Sequence, residues 1–144
     1  MSQGARLPFF VYGTLRPGEP NHGAYLRGRS AAEAPARLTG AVLYEGPGYP
    51  YLVEDPGGGQ VRGELITALP SAYERLLADL DVLEVCAPGD PRNLYDRVVR
   101  EVTLLDGAAA RAWVYVAAPR VAARLRASGA VIGGGDWASF RARG

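Results

Sequence analysis

The chain has 144 residues, the size of one domain with one sizeable core, and its 48% hydrophobic and 22% charged residues set it apart from disordered chains. Sixteen basic residues against fifteen acidic ones leave a net charge of +1, and the arginines are dispersed, so neither nucleic acid nor a membrane surface is an expected partner. A single cysteine, Cys86, and a single histidine, His22, exclude an internal disulfide and a metal site with zinc-ligand spacing.

The start, Met1 to Arg6, lacks the apolar core of a signal peptide, and no apolar run approaches the ~20 residues of a membrane span. The cytoplasm is the expected compartment. The first strong pattern is Phe9-Phe10-Val11-Tyr12-Gly13-Thr14-Leu15-Arg16-Pro17-Gly18. Its aromatic and β-branched part predicts a buried strand, and Gly13 allows a turn whose unpaired N–H groups suit an anionic or carbonyl oxygen. Prolines 17 and 20 enforce a loop, after which Asn21 is expected to cap a short helical turn reaching Tyr25 and Leu26.

One strand is predicted from Arg37 to Glu45, weakened or bulged at Gly40, and others over Tyr49 to Glu54 and Val61 to Thr67, forming an antiparallel meander. Ser71 and Glu74 have the spacing of a capping box. The helix they introduce carries Tyr73, Leu76, Leu77, Leu80 and Leu83 on one stripe, with Arg75, Ala78, Asp79 and Val82 largely opposite. A loop from Cys86 to Asn93 leads to strands over Tyr95 to Leu105 and Arg111 to Ala117. A second helix is expected from Pro119 to Arg126, with Gly129 just past its end. The segment from Ile132 to Trp137 is too rich in glycine for regular structure, while Trp137 and Phe140 should be tied down. The order of elements reads as one α+β domain over residues 1–144, with a strongly curved or closed sheet.

Glu84 is the strongest chemical clue. It lies eleven positions after Tyr73, which at about 100° per residue brings it to within roughly 20° of that ring on a helical wheel. A carboxylate there loses hydration, and its pKa rises into the range of a general base or acid. Periodicity serves equally well a helix that stops at Leu83 and frees Glu84 to solvent. Asp81, at the edge of the stripe, is expected to be solvated or capping, His22 to serve a surface hydrogen bond, and Cys86 to be idle. Tyr95 and Arg97 share a strand face on which they can line a pocket or stack at the sheet surface. Gly133 to Gly135 reads as a flexible tail.

Tyr12-Gly13-Thr14-Leu15-Arg16-Pro17-Gly18, Leu80-Asp81-Val82-Leu83-Glu84, Tyr95-Asp96-Arg97 and Gly135-Asp136-Trp137, in this order, resemble the γ-glutamylcyclotransferase-like family, which includes AIG2-like proteins and γ-glutamylamine cyclotransferases. The resemblance implies a small closed, mostly antiparallel β-barrel flanked by helices. It further implies that the backbone of Tyr12, Gly13, Thr14 and Leu15 binds a glutamyl α-carboxylate. Glu84 would act as base and acid while a small γ-glutamyl substrate closes to 5-oxoproline and frees an amine, with neither metal nor cofactor. Many relatives follow this Glu with Gly, where the present chain has Val85. Two other functions stay open: a non-catalytic pocket for an amino acid or carboxylate on the same fold, and an interaction protein docking through Arg92 to Tyr95.

Overall fold

The computed structural model describes residues 6–87 and 89–143; Met1 to Ala5, where the absence of a leader was read, and Pro88 of the loop lie outside the described residues. The opening aromatic run forms strand β1, Phe9–Val11. There follow α1 (Pro20–Leu26), β2 (Ser30–Thr39), β3 (Ala41–Glu45), β4 (Pro50–Glu54) and β5 (Gln60–Ala68). After a 3-10 turn at Pro70–Ala72 come α2 (Tyr73–Leu83), β6 (Tyr95–Leu104), β7 (Ala109–Ala117) and α3 (Pro119–Ser128). A second 3-10 turn, Gly133–Gly135, leads into α4 (Trp137–Arg143).

Strands β1, β5, β2, β6 and β7 close into a barrel in that order. Every neighbouring pair is antiparallel except β1 and β7, which meet in parallel at Phe9 and Trp113. The expected α+β architecture, a small closed barrel with helices around it, is what forms. The meander is interrupted, however: β3 and β4 pair with each other as a separate ribbon. Gly40 causes the break, because at φ +79° it turns the chain between β2 and β3. Its N–H donates to Gly59 O and its carbonyl accepts from Asp55 N–H, both at 2.9 Å, which ties the base of the ribbon to the barrel. The strand expected from Arg37 to Glu45 is therefore two strands. The first begins earlier, at Ser30, where an Ala-rich segment pairs with β5 from Ala32 opposite Thr67 to Thr39 opposite Gln60. Tertiary pairing overrides weak strand propensity there.

Neither expected helix cap forms. Helix α1 begins at Pro20, so Asn21 is already helical, and its side chain donates instead to Thr14 Oγ1 at 2.9 Å. Pro70 opens the 3-10 turn that contains Ser71, which leaves Ala72 before α2 and no side-chain cap. The glycines before Trp137 form a fixed turn, where a flexible tail was expected. Gly135 is buried, and a Cβ on it would stand 2.0 Å from Gln60 O. Trp137 is tied down as expected, buried and stacked on Phe140 at 5.7 Å between ring centroids, but on a helix that the composition did not announce. None of the described helices is long and apolar enough to cross a membrane.

Strand β1 is the wall between two apolar clusters. Phe9 and Val11 pack with residues of α1, α2 and α3, while Phe10 packs with residues from the other four barrel strands and the ribbon. Each buried Phe contributes roughly 1.5–3 kcal/mol. Gly63 of β5 lets β1 approach, since a Cβ there would stand 2.1 Å from Val11 O and 3.0 Å from the Phe10 ring. Gly63→Ala is therefore expected to destabilise the protein by about 2 kcal/mol or more, read from urea unfolding; an unchanged midpoint would mean that β1 is free to shift.

Candidate active site

Helix α2 buries Tyr73, Leu76 and Leu80, packs Leu77 and Leu83 at the margin and leaves Val82 80% exposed. It stops at Leu83. Glu84 N–H donates to Leu80 O, Val85 N–H to Val82 O at 3.1 Å, and Cys86 N–H to Asp81 O at 2.9 Å. The last two bonds make a Schellman ending, in which Val85 takes the left-handed position usually given to glycine. Its φ is +53°, the one positive φ outside glycine among the described residues. The ending directs the Glu84 side chain into a recess, so the end of the helix at Leu83 does not send it to solvent.

The recess is walled by Tyr12, Gly13, Thr14, Leu15, Tyr95 and Tyr115 together with Glu84, and completed by Pro50 and Tyr49. Burial alone pushes the Glu84 carboxyl up to about 7. Among the described residues it has no hydrogen-bond or ion-pair partner, whereas Glu19, Glu64, Asp81 and Asp136 are all paired.

Opposite stands the loop after β1. Arg16 N–H donates to Gly13 O and Asn21 N–H to Thr14 O, each at 3.0 Å, which fixes the turn. The N–H groups of Gly13, Thr14 and Leu15 have no acceptor among the described residues. Gly13 must lack a side chain, because a Cβ would lie 2.8 Å from the Pro50 ring. Arg16 faces away from this chemistry. It forks onto Glu64 at 2.8 and 3.2 Å and reaches Asp136 at 2.7 Å, joining the loop to β5 and to the C-terminal turn. Trp137 Nε1 donates to Glu19 at 3.0 Å and ties the far side of the same loop.

Of the two strand residues singled out on β6, Tyr95 lines the recess and donates to Pro50 O at 2.7 Å. Arg97 does not. It lies over the Trp113 ring at 4.2 Å and forks onto Asp81 at 2.9 and 3.2 Å, in a separate cavity. Asp81 is accordingly neither solvated nor a cap. It is only 18% exposed and also accepts from the Tyr115 hydroxyl at 2.6 Å. Tyr115, like Pro50 and Tyr49, is a wall residue that sequence reasoning missed, and its backbone carbonyl accepts from Tyr12 at 2.5 Å. Burial, and then the Asp81 hydrogen bond, hold the Tyr115 hydroxyl far above its ordinary range, so it stays a donor. Its alternation with Trp113 and Ala117 on β7 was the available signal. His22 makes the expected surface contact, with Glu33 at 2.9 Å, and Cys86 is a free thiol.

Comparison with known proteins agrees with this architecture. The sequence model of the family described as gamma-glutamyl cyclotransferase, AIG2-like, matches residues 9–139, and the chain belongs to this family. It is 37% identical over 108 residues to the gamma-L-glutamyl-butirosin B gamma-glutamyl cyclotransferase of Niallia circulans, covering 74% of this chain and 64% of that one. It is also 37% identical to the gamma-glutamylaminecyclotransferase of Homo sapiens, over 67% of this chain and 62% of that one. The match thus spans a little under two thirds of the length of either relative. The crystal structure of an AIG2-like protein from Mus musculus superposes with a TM-score of 0.59 at 27% identity, covering 79% of this chain and 80% of that one.

Two stability measurements check the site. Ionising Glu84 in place costs the fold free energy that grows as pH rises from the unfolded value near 4.5 to about 7. Glu84→Gln is therefore expected to be more stable than the parent by about 2–3 kcal/mol above pH 7, with the gap closing as pH falls towards 4.5. A constant gap across that range would contradict the desolvation. Val85→Gly removes a β-branched residue from a left-handed position and should raise stability by about 1 kcal/mol, seen as a higher urea midpoint.

Proposed function

We propose that the protein is a γ-glutamyl cyclotransferase in which Glu84 carries the proton. The observation that supports this most is an unpartnered, desolvated carboxyl sharing one recess with the free amides of Gly13, Thr14 and Leu15. Those amides suit the α-carboxylate of a γ-glutamyl group, whose negative charge they match without a side chain. Glu84 takes a proton from the α-amino nitrogen, which attacks the γ-carbonyl carbon. The new N–C bond closes a five-membered ring, the bond from that carbon to the amide nitrogen breaks, and Glu84 returns the proton to the departing amine. The products are 5-oxoproline and a free amine, with atoms and charge balanced and no water consumed.

The division of labour follows from the parts. Nucleophile and electrophile belong to one molecule, so holding the glutamyl chain folded supplies much of the rate. A base poised near the working pH serves both proton steps, since it gives up the proton as readily as it takes it. Tyr115 spends its one O–H on Asp81, and that bond holds its ring in place in the wall of the recess.

Incubation with a panel of γ-glutamyl amides and chromatographic detection of 5-oxoproline tests the reading. kcat/KM should rise with pH through about 7, as Glu84 loses its proton. Glu84→Gln should lower kcat by about 10²–10⁴ and abolish that limb. Turnover that survives the substitution would refute the role of Glu84, and tight binding without turnover by the parent protein would favour a carrier or sensor.

A further inference from the structure

The recess does not end at Glu84. Thr14, Tyr49, Glu84 and Tyr95 also belong to the wall of an outer chamber of about 440 Å³, which reaches the surface beside the half-exposed Val85. Leu83, Val85 and Leu94 supply most of its remaining wall, with Pro20 and Asn21 on the opposite side. Glu84 is the sole charged side chain among the described lining residues. The polar groups are largely engaged with one another or with the backbone. Asn21 donates to Thr14 Oγ1, the Tyr95 hydroxyl donates to Pro50 O, and the Tyr49 hydroxyl lies 3.4 Å from that of Tyr51. What the chamber presents is therefore aliphatic side chains and the faces of tyrosine rings.

This wall is pre-formed. Leu94 N–H donates to Val85 O at 3.2 Å, and Leu94 O accepts from Ala118 N–H at 2.9 Å. Behind it the buried Asn93 side chain bonds both N–H and O of Ala87, each at 2.9 Å. A second cavity on the other side of this loop differs sharply, with Asp81, Asp90, Asp96, Arg97 and Arg120 in its lining and no contribution from Glu84.

With the glutamyl head on the Gly13 loop and the γ-carbonyl at Glu84, the departing nitrogen and its substituent fall on the chamber side. We propose that this chamber holds the amine half of the substrate and selects uncharged, apolar amines, so that γ-glutamyl alkylamides and aralkylamides are preferred over γ-glutamyl amino acids and diamines. The proposal rests on the cyclotransferase reading above. A γ-glutamyl amino acid would set its carboxylate against Leu83 and Leu94 with no cation in the lining to pair it. A diamine would bring a second ammonium into a chamber whose single acid is committed to the reacting nitrogen.

Four probes test this: γ-glutamyl-benzylamide, γ-glutamyl-butylamide, γ-glutamyl-alanine and γ-glutamyl-cadaverine. The kcat/KM for release of 5-oxoproline from the first two should exceed that from the last two by about tenfold or more. Calorimetric affinities for Glu84→Gln should follow the same order. Leu94→Arg, which places a cation in the wall, should shift the ratio towards γ-glutamyl-alanine by about tenfold. Equal or better turnover of the charged probes by the parent protein overturns the chamber assignment. If no probe yields 5-oxoproline, the cyclisation reading fails, and the binding order on Glu84→Gln still decides the chamber: apolar probes first supports it, while no preference or no binding overturns it.

Discussion

A carboxyl group largely removed from water, with no partner among the described residues, is the constraint around which this structure is arranged. Such a group is costly to bury, and proteins normally satisfy it. Here the neighbouring acids are satisfied and Glu84 is not. The Schellman ending of α2 holds it there, and the left-handed Val85 is part of that ending. Backbone strain and burial of an unpaired acid both subtract from stability at one short segment, a combination that accumulates where chemistry is done.

Most of the residues that carry the family resemblance are braces for this arrangement. Arg16, in the first motif, grips Glu64 of β5 and Asp136 of the last motif. Trp137 closes on Glu19. Asp81 of the second motif and Arg97 of the third meet each other, and Asp81 then takes the hydroxyl of Tyr115. The charged residues are thus half-buried and paired, with Arg97 further covered by the Trp113 ring. Pairs of this kind are weak arguments for stability but define geometry well. They fix the loop, the helix end and the strand relative to one another. Among the described residues lining the recess, the Glu84 carboxyl and the amides of Gly13, Thr14 and Leu15 are left without a partner.

Local patterns and spacing announced a strongly curved or closed sheet, helix α2 and the side of that helix towards which Glu84 falls. The small barrel and the meeting of Glu84 with the Gly13 loop were implied by the family resemblance, since no local pattern relates segments about seventy residues apart. The helix stops one residue before Glu84, and the Schellman ending, which a helical wheel does not foresee, is what aims the side chain. Arg97 was left open between a pocket wall and a stacked, paired sheet face because alternation assigns a face but does not tell which neighbour occupies it; Asp81 and the Trp113 ring took the guanidinium. Ser30 to Ala36 became strand through pairing with β5, a long-range effect with no local signal. The cap at Ser71 failed because Pro70 had already started a tighter turn. Tyr115 was overlooked for a related reason, since in a buried strand a tyrosine whose alternation could mark it as a wall residue still reads as core until its hydroxyl is seen to meet an acid.

Barrel closure also orders events in time. The short strand β1 bonds to β7 near the other end of the fold, and the Tyr12 hydroxyl reaches a carbonyl 103 residues away. A ribosome adding about 5–20 residues per second makes Phe9 and Phe10 long before their final neighbours, by roughly five to twenty seconds. Until β5 and then β7 are made, the aromatic segment lacks the two strands that flank it in the barrel. The recess is thus completed late, only after the last barrel strand has been made.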